Sequence, residues 1–269
     1  MERGMGAGAV MKWDPARYVQ FGNYRDRPFF DLVGRLHAEN PRRVVDLGCG
    51  PGNLTATLAE RWPGAAVTGL DSSAEMLARS AVHTGQLPNL SFGHADITDW
   101  MPSAETDVVV SNAALQWVPG HRALLAGWLD ALTPGAWFAL QVPGNFNSPS
   151  HTLMRELAES DAWAGRLAGV LRHADVVGEP GEYLNIMLDA GCDADAWEST
   201  YFQLLAGANP VLEWVRGAGL RPVLAALSAA DARTFETEYA ERLTEAYPPG
   251  RHGTVFPFRR IFAVARKRN

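Results

Sequence analysis

The sequence predicts an α/β fold, a mostly parallel sheet of seven strands with helices on both faces. Three observations carry that expectation. From about residue 42 to 142, strand patterns alternate with helical ones, the order of a parallel sheet with right-handed crossovers. The strands are continuous apolar runs rather than alternating ones, as a sheet covered on both faces requires. The first of them runs directly into glycines that open a helix.

Before the sheet, residues 26 to 38 carry a helical apolar face in Phe29, Phe30, Val33 and Leu36. Arg43-Val44-Val45-Asp46-Leu47 is the first strand, a short apolar run stopped by glycines. A helix follows over 53–62, with Leu54, Leu58 and Trp62 four apart. The second strand is 66–71, and the helix after it, 73–82, has Ser72 or Ser73 placed to cap its start. Strands at 90–94 and 107–111, a helix at 124–132 and a strand at 136–142 complete the regular half. Beyond Pro143-Gly144-Asn145 the pattern loosens: helical stretches near 151–172, 180–191 and 209–246, and strands at 197–205 and 256–265. The expected organisation is a loose Gly/Ala-rich tail over 1–12 and one domain over 13–269. That domain has an N-terminal helical lid (13–40) and helical insertions (143–191 and 206–255), which roof a crevice at the strand ends.

Composition limits the chemistry. A chain of 269 residues, 47% hydrophobic and 20% charged, buries a sizeable core. Twenty-four Lys and Arg against 30 Asp and Glu leave a net charge of −6, which argues against coating nucleic acid or an anionic membrane. A small anionic substrate then needs a local arginine cluster. Cys49 and Cys192 supply neither a disulfide framework nor a metal quartet. No apolar stretch approaches a membrane span, and the first twelve residues lack a secretory layout. The expectation is a cytoplasmic protein without metal.

The strongest local signal is Val44-Val45-Asp46-Leu47-Gly48-Cys49-Gly50-Pro51-Gly52-Asn53-Leu54. Glycines after a strand allow a tight turn and close approach of a ligand, and the following helix offers unpaired N–H groups. Asp71 ends the next strand about 20 residues on, the spacing at which a carboxylate holds a ribose. Gly52 comes one residue too early for a dinucleotide fingerprint. Asp46 at the loop entrance would repel a pyrophosphate but suits an amino group or a sulfonium.

Val45-Asp46-Leu47-Gly48-Cys49-Gly50-Pro51-Gly52 resembles the first motif of the class I S-adenosylmethionine-dependent methyltransferases, and further motifs follow in order. The resemblance implies their Rossmann-like fold and S-adenosyl-L-methionine as cofactor. Asp71, with Ser72 beside it, resembles the ribose-binding acid, and Asp96-Ile97 the adenine-binding pair. Ser111-Asn112-Ala113-Ala114-Leu115-Gln116-Trp117 resembles the loop beside the methionine end. Taken alone, Asp96 is an ordinary turn residue; in this series it reads as a ligand. The implied cofactor residues are Tyr18, Asp46, Gly48, Gly50, Asp71, Ser72, Asp96, Ile97, Asn112 and Trp117.

A narrower resemblance runs from Trp13 to about Ala265. Trp13-Asp14-Pro15, Tyr18, Phe21, Arg25, Arg27-Pro28, Val142-Pro143-Gly144-Asn145, Pro210-Val211-Leu212-Glu213-Trp214 and Phe256-Pro257-Phe258-Arg259-Arg260 are similar to the trans-aconitate methyltransferase family. That family makes a methyl ester from one carboxylate of a tricarboxylic acid. Such a carboxylate, with a solution pKa of roughly 4, is already anionic at neutral pH, so no general base is expected. Accordingly no residue is assigned a proton-transfer role, and His121, His151 and His252 read as structural or solvated.

What the site must supply is alignment and exclusion of water. Arginine suits the acceptor's other carboxylates because it grips them with paired N–H bonds. Candidates are Arg25, Arg27, Arg259 and Arg260, and Arg25 equally suits the cofactor carboxylate. Adjacent strand residues face opposite sides, so Arg259 and Arg260 should not share a pocket, and Arg260 is favoured. Trp13, Tyr18, Phe21 and Trp117 are aromatic candidates around a sulfonium; Trp13, Trp214 and Tyr247 are candidates for the acceptor pocket. Two alternatives stay open: methyl transfer to another small-molecule hydroxyl, nitrogen or carbon, and a cofactor-binding protein without turnover.

Overall fold

A computed structural model of the chain describes residues 26–171, 176–217 and 219–269. Seven strands form one sheet: β1 (Arg43–Leu47), β2 (Ala66–Asp71), β3 (Leu90–His94), β4 (Thr106–Asn112), β5 (Trp137–Pro143), β6 (Cys192–Leu205) and β7 (Thr254–Lys267). Their order is β3-β2-β1-β4-β5-β7-β6. β1 to β5 are parallel to their neighbours, whereas β7 runs antiparallel to both β5 and β6. The order reverses between β1 and β4, the switch point at whose carboxyl ends open α/β sheets take their ligands.

Both faces are covered. On one face α1 (Arg27–Val33) and α2 (Asn53–Arg61) bury Phe29, Leu32, Leu58 and Ala59 against Val44, Val67, Val108, Val110 and Ala139. Each fully buried Leu or Phe contributes about 1.5–3 kcal/mol, and this explains the continuous apolar strands. Arg61 ties the two helices, donating to the carbonyls of Val33 (2.5 Å) and Leu36 (2.6 Å). α3 (Ala74–Thr84) packs beside β3 and starts at a Ser73 cap, whose Oγ accepts from the Met76 amide at 3.3 Å. On the opposite face α4 (His121–Ala131) and α7 (Pro180–Asp189) cover Val45, Leu47, Val109, Phe138 and Leu140.

A third apolar cluster lies past the sheet. There α5 (Pro149–Ala158), α6 (Ala164–Leu167), α8 (Pro210–Arg216), α9 (Arg221–Ala226) and α10 (Ala229–Ala246) enclose Phe235, Tyr239 and the protruding end of β7 at Phe256 and Phe258. The single helical stretch expected over 209–246 is three helices, separated around Gly217 and again before the Ser228 cap. The stretch expected near 151–172 is likewise two, α5 and α6. The helix expected over 26–38 stops at Val33. β6 begins five residues earlier than expected, because Cys192-Asp193-Ala194-Asp195-Ala196 pairs along the sheet edge with a polar outer side. The expected tail over 1–12 and residues 13–25 of the lid expected over 13–40 lie outside the described residues.

Candidate active site

The glycine turn closes on the neighbouring strand. The amides of Gly48 and Cys49 both donate to the Leu70 carbonyl, at 2.8 and 3.0 Å. Gly48 has φ +79°, and a methyl group there would meet the Ala114 Cβ at 2.2 Å. Its lack of a side chain is a packing requirement. Gly50, at φ +56°, differs: a Cβ there has no heavy atom within 4 Å. At Gly52 (φ +80°) a Cβ would meet Phe92 Cζ at 2.4 Å, so the turn is tightly packed at both ends and open at Gly50 between them.

Two carboxylates border the opening. Asp71 is saturated on its loop side, Oδ2 accepting from the Gly50 amide and Oδ1 from the Ser73 amide, each at 2.8 Å. Asp71 therefore shapes the glycine turn and the start of α3 together, and Ser72 is exposed beside it. Asp46 is buried, and its Oδ2 accepts from Thr55 Oγ1 at 2.6 Å. Burial pushes its carboxyl up to about 6; the Thr55 hydroxyl opposes that shift and the nearby Asp71 charge adds to it. Thr55 was missed in the sequence, where a threonine in a first helical turn looks ordinary. Cys49 is buried under the turn, its thiol pushed up by loss of solvent, so it is a packing residue rather than a nucleophile.

Asp96 is exposed and caps a short 3-10 turn over Ile97–Asp99: Oδ1 accepts from both the amide and hydroxyl of Thr98 at 2.8 Å. Those bonds hold its carboxyl below the ordinary range. Ile97 leans toward Gly48, its Cδ1 3.6 Å from where a Cβ would sit. Asn112 ends β4, and its Oδ1 is buried without a hydrogen-bond partner. Trp117 is half exposed on the 3-10 turn Leu115–Trp117.

From Asn112 a polar row continues across the same sheet face. Gln141 on β5 stands in direct register with Asn112, and Arg260 on β7 pairs with Pro143, two residues on. Gln141 is fully buried and Arg260 is 8% exposed. Arg260 Nη1 donates to Gln141 Oε1 at 3.4 Å, and the guanidinium lies 4.5 Å over the Phe258 ring. Arg259 points to the other face, paired with Glu179 and Glu198, which raise its pKa further. The alternation expected for adjacent strand residues holds here. Gln141 was missed, although one amide at the end of a wholly apolar run was a legible signal.

The remaining candidates sit farther away. Arg27 is exposed, 3.8 Å from Asp31 and 4.9 Å over the Tyr201 ring. Trp214 packs on Phe258 with ring centroids 5.8 Å apart, the same ring that carries Arg260. Tyr247 is buried against Phe256, and its hydroxyl accepts from the Ser150 amide at 3.0 Å. His121 is buried between the Val118 carbonyl (3.2 Å) and the Tyr183 hydroxyl (2.8 Å). His151 has its pKa pushed down to about 4 by burial. His252 is exposed on a turn. Trp13, Tyr18, Phe21 and Arg25 lie outside the described residues. Among the described residues no three His, Cys, Asp or Glu side chains group as a metal site, and no helix is long and apolar enough to cross a membrane.

The residues present fit the expected cofactor. Gly50 leaves room for close approach, carboxylates flank the opening, and Asn112 Oδ1 is a buried acceptor lacking its donor.

Comparison with known proteins adds the following. Residues 44–135 match a methyltransferase domain family. The chain is 55% identical over 264 residues to the trans-aconitate 2-methyltransferase of Streptomyces avermitilis, covering 96% of this chain and 98% of that one. It is 54% identical to that of Rhodococcus jostii, covering 94% and 98%, and 48% identical to that of Mycobacterium tuberculosis, covering 94% and 96%. Among solved structures, the YcgJ protein of Bacillus subtilis superposes with a TM-score of 0.56 at 12% identity, over 88% of this chain and 96% of that one. Phosphoethanolamine N-methyltransferase 2 of Haemonchus contortus, solved with S-adenosyl-L-methionine, gives 0.51 at 17% identity. There the match covers 89% of this chain and about half, 52%, of the other. These structural likenesses show the fold alone, a Rossmann-like sheet with helices on both faces.

Proposed function

Since this chain belongs to the trans-aconitate 2-methyltransferase family of S-adenosylmethionine-dependent enzymes, we propose that it converts one carboxylate of trans-aconitate into a methyl ester. The cofactor, when bound, supplies a methyl group on a positively charged sulfur. Asp71 and Ser72 would hold its ribose, and Asp96 and Ile97 its adenine. Gly48, Gly50, Asp46 and Asn112 would face the methionine end, with Trp117 beside it.

The observation that supports the acceptor most is the nearly buried Arg260, displayed on Phe258 at the far end of the polar row. A nearly buried guanidinium at the end of that row suits an anionic acceptor, because Arg matches carboxylates better than any other side chain. Its task is to fix one carboxylate so that another is aligned for displacement. Orientation of this kind contributes about 7–11 kcal/mol in favourable cases. The reacting oxygen is already ionised at neutral pH, so no residue need accept its proton. His121 fits that economy: its pKa is lowered by burial and both ring nitrogens are engaged. Two free, buried cysteines suit a reducing compartment, and we place the enzyme in the cytoplasm, acting on a small anion rather than nucleic acid or membrane.

The test is product mass spectrometry with labelled cofactor and a panel of tricarboxylates. A monomethyl ester and S-adenosylhomocysteine are expected. With saturating cofactor the rate should be flat from pH 6 to 9, since a carboxylate stays ionised throughout; a rate that climbs with pH would indicate a hydroxyl or amine acceptor. Arg260→Ala should raise the acceptor KM at least tenfold and leave cofactor Kd within twofold. Equal losses in both would contradict its role.

A further inference from the structure

Gln141 is a buried side chain with half of its chemistry unspent. Its carboxamide lies at the carboxyl end of β5, fully buried, with Oε1 facing the Arg260 guanidinium at 3.4 Å. An arginine only donates, so the amide is oriented: Oε1 must face Arg260 and Nε2 must point elsewhere. That Nε2 has no hydrogen-bond partner. Buried polar groups in native proteins are nearly always paired, and an exception needs an explanation, of which a bound ligand, ion or water is one. On the neighbouring strand, in direct register, Asn112 Oδ1 is a second buried atom without a partner, and it is an acceptor.

The two unmet groups differ in sign, and their order has meaning. Toward the side of the sheet that carries Asp46 and Asp71 stands an unmet acceptor, on β4; beside Arg260 stands an unmet donor. A cationic group suits the first position. Only an acceptor-rich group suits the second, because an ammonium or sulfonium there would face a guanidinium. A carboxylate, with two oxygens and no hydrogen, meets both Nε2 and Arg260. We propose that Gln141 is a specificity-determining residue, whose Nε2–H donates to the same non-reacting carboxylate of the acceptor that Arg260 binds. This inference rests on the reading of Arg260 given above. Gln141 serves twice: it steadies the arginine through Oε1 and reads the substrate through Nε2.

The experiment is a cycle between side chain and substrate in the full-length protein. Gln141→Met conserves volume and deletes the donor; Gln141→Glu conserves shape but puts a charge against Arg260. Acceptors are trans-aconitate and a dicarboxylate analogue lacking one non-reacting carboxylate, and cofactor Kd is measured by calorimetry. For Gln141→Met, the trans-aconitate KM should rise about tenfold, which is about 1.4 kcal/mol, and Gln141→Glu should raise it further. Cofactor Kd should stay within twofold in both variants, which also certifies their folding. For the analogue lacking the gripped carboxylate, the penalty of Gln141→Met should vanish. A cofactor Kd that weakens while KM stands still assigns Gln141 to the cofactor and overturns the proposal. An equal penalty for both acceptors overturns it too, as a merely structural effect. Wild-type enzyme inactive on trans-aconitate sinks the parent reading and this one with it, whereas active wild type with unaffected variants sinks only this one.

Discussion

Asp46 meets two opposed demands. Its burial costs stability when it is charged, yet a charge is what the neighbouring cationic end of a cofactor would need. The unfolded carboxyl ionises near 3.8 and the folded one near 6. Between those values the folded chain holds a proton that the unfolded chain has released, so stability falls as pH rises and levels off above about pH 6. The loss amounts to roughly 3 kcal/mol. Asp46→Asn carries no such penalty and can still accept from Thr55. It should unfold a few degrees higher than wild type at pH 7.5, with a smaller gap at pH 4.5, while binding cofactor at least tenfold more weakly at pH 7.5. Thermal scans across that range check the sign; a gap that fails to widen with pH removes Asp46 as the responsible group. The glycines divide similarly. Gly50→Ala adds a methyl to open space at a left-handed backbone, costing about 1–2 kcal/mol, and should fold but lose cofactor affinity. Gly48→Ala drives into Ala114 and should fail to fold stably. These acids and glycines were legible because a charge or a run of glycines at the end of an apolar strand is unusual. Thr55 was not, since its meaning depends on the strand it faces, and Gln141 stood out as polar without showing that its partner Arg260 lies on a distant strand. Trp214 and Tyr247 show the converse: an aromatic side chain advertises contact without saying on which side.

At the scale of elements, legibility followed burial. β1, β2, β4 and β5 stand inside the sheet, and their largely apolar runs marked both type and place. β6 is an edge strand, and its Asp193-Ala194-Asp195-Ala196 opening reads as a polar loop until β7 pairs with it. The helical half was harder, because helix breaks near Gly217 and Ser228 interrupt a pattern whose period continues across them. α7 illustrates how such late helices are held. The Gly178 amide donates to the Tyr183 hydroxyl at 3.1 Å, and that hydroxyl can donate onward to His121 Nε2 while Nδ1–H donates to Val118. Tyr183 thereby fastens α7 to α4 through a buried relay. Tyr183→Phe would leave the Gly178 amide and His121 Nε2 unpaired, at a cost of about 2–4 kcal/mol. The denaturant midpoint should fall accordingly, with kcat unchanged at saturating substrates. An unaltered midpoint would show that apolar packing alone holds α7.

Across the whole molecule, polarity runs in one direction along the strand ends: acids at β1 and β2, an unmet acceptor at β4, an unmet donor at β5 and a guanidinium at β7. On the proposed reading, a cationic methyl donor and an anionic acceptor would thereby be sorted to opposite ends of this row before they meet. The surrounding field works against the acceptor, because the chain carries −6 overall. Salt separates these two influences. The global repulsion acts over long distances through water, where the screening length falls from about 30 Å at 0.01 M to about 10 Å at 0.1 M. The proposed grip of Arg260 would act at contact and nearly out of solvent, so it would be screened much less. Raising ionic strength from 0.01 to 0.15 M should therefore leave kcat/KM for trans-aconitate level or raise it up to a few-fold. Capture by exposed arginines such as Arg27 predicts the reverse, a steep decline over the same range. In Arg260→Ala the contact term is gone and the repulsion remains, so its residual kcat/KM should climb with salt more steeply than that of wild type. Steady-state kinetics in a neutral salt series decide the matter: a decline in both proteins would mean that attraction at the surface, and not a buried guanidinium, brings the polycarboxylate in.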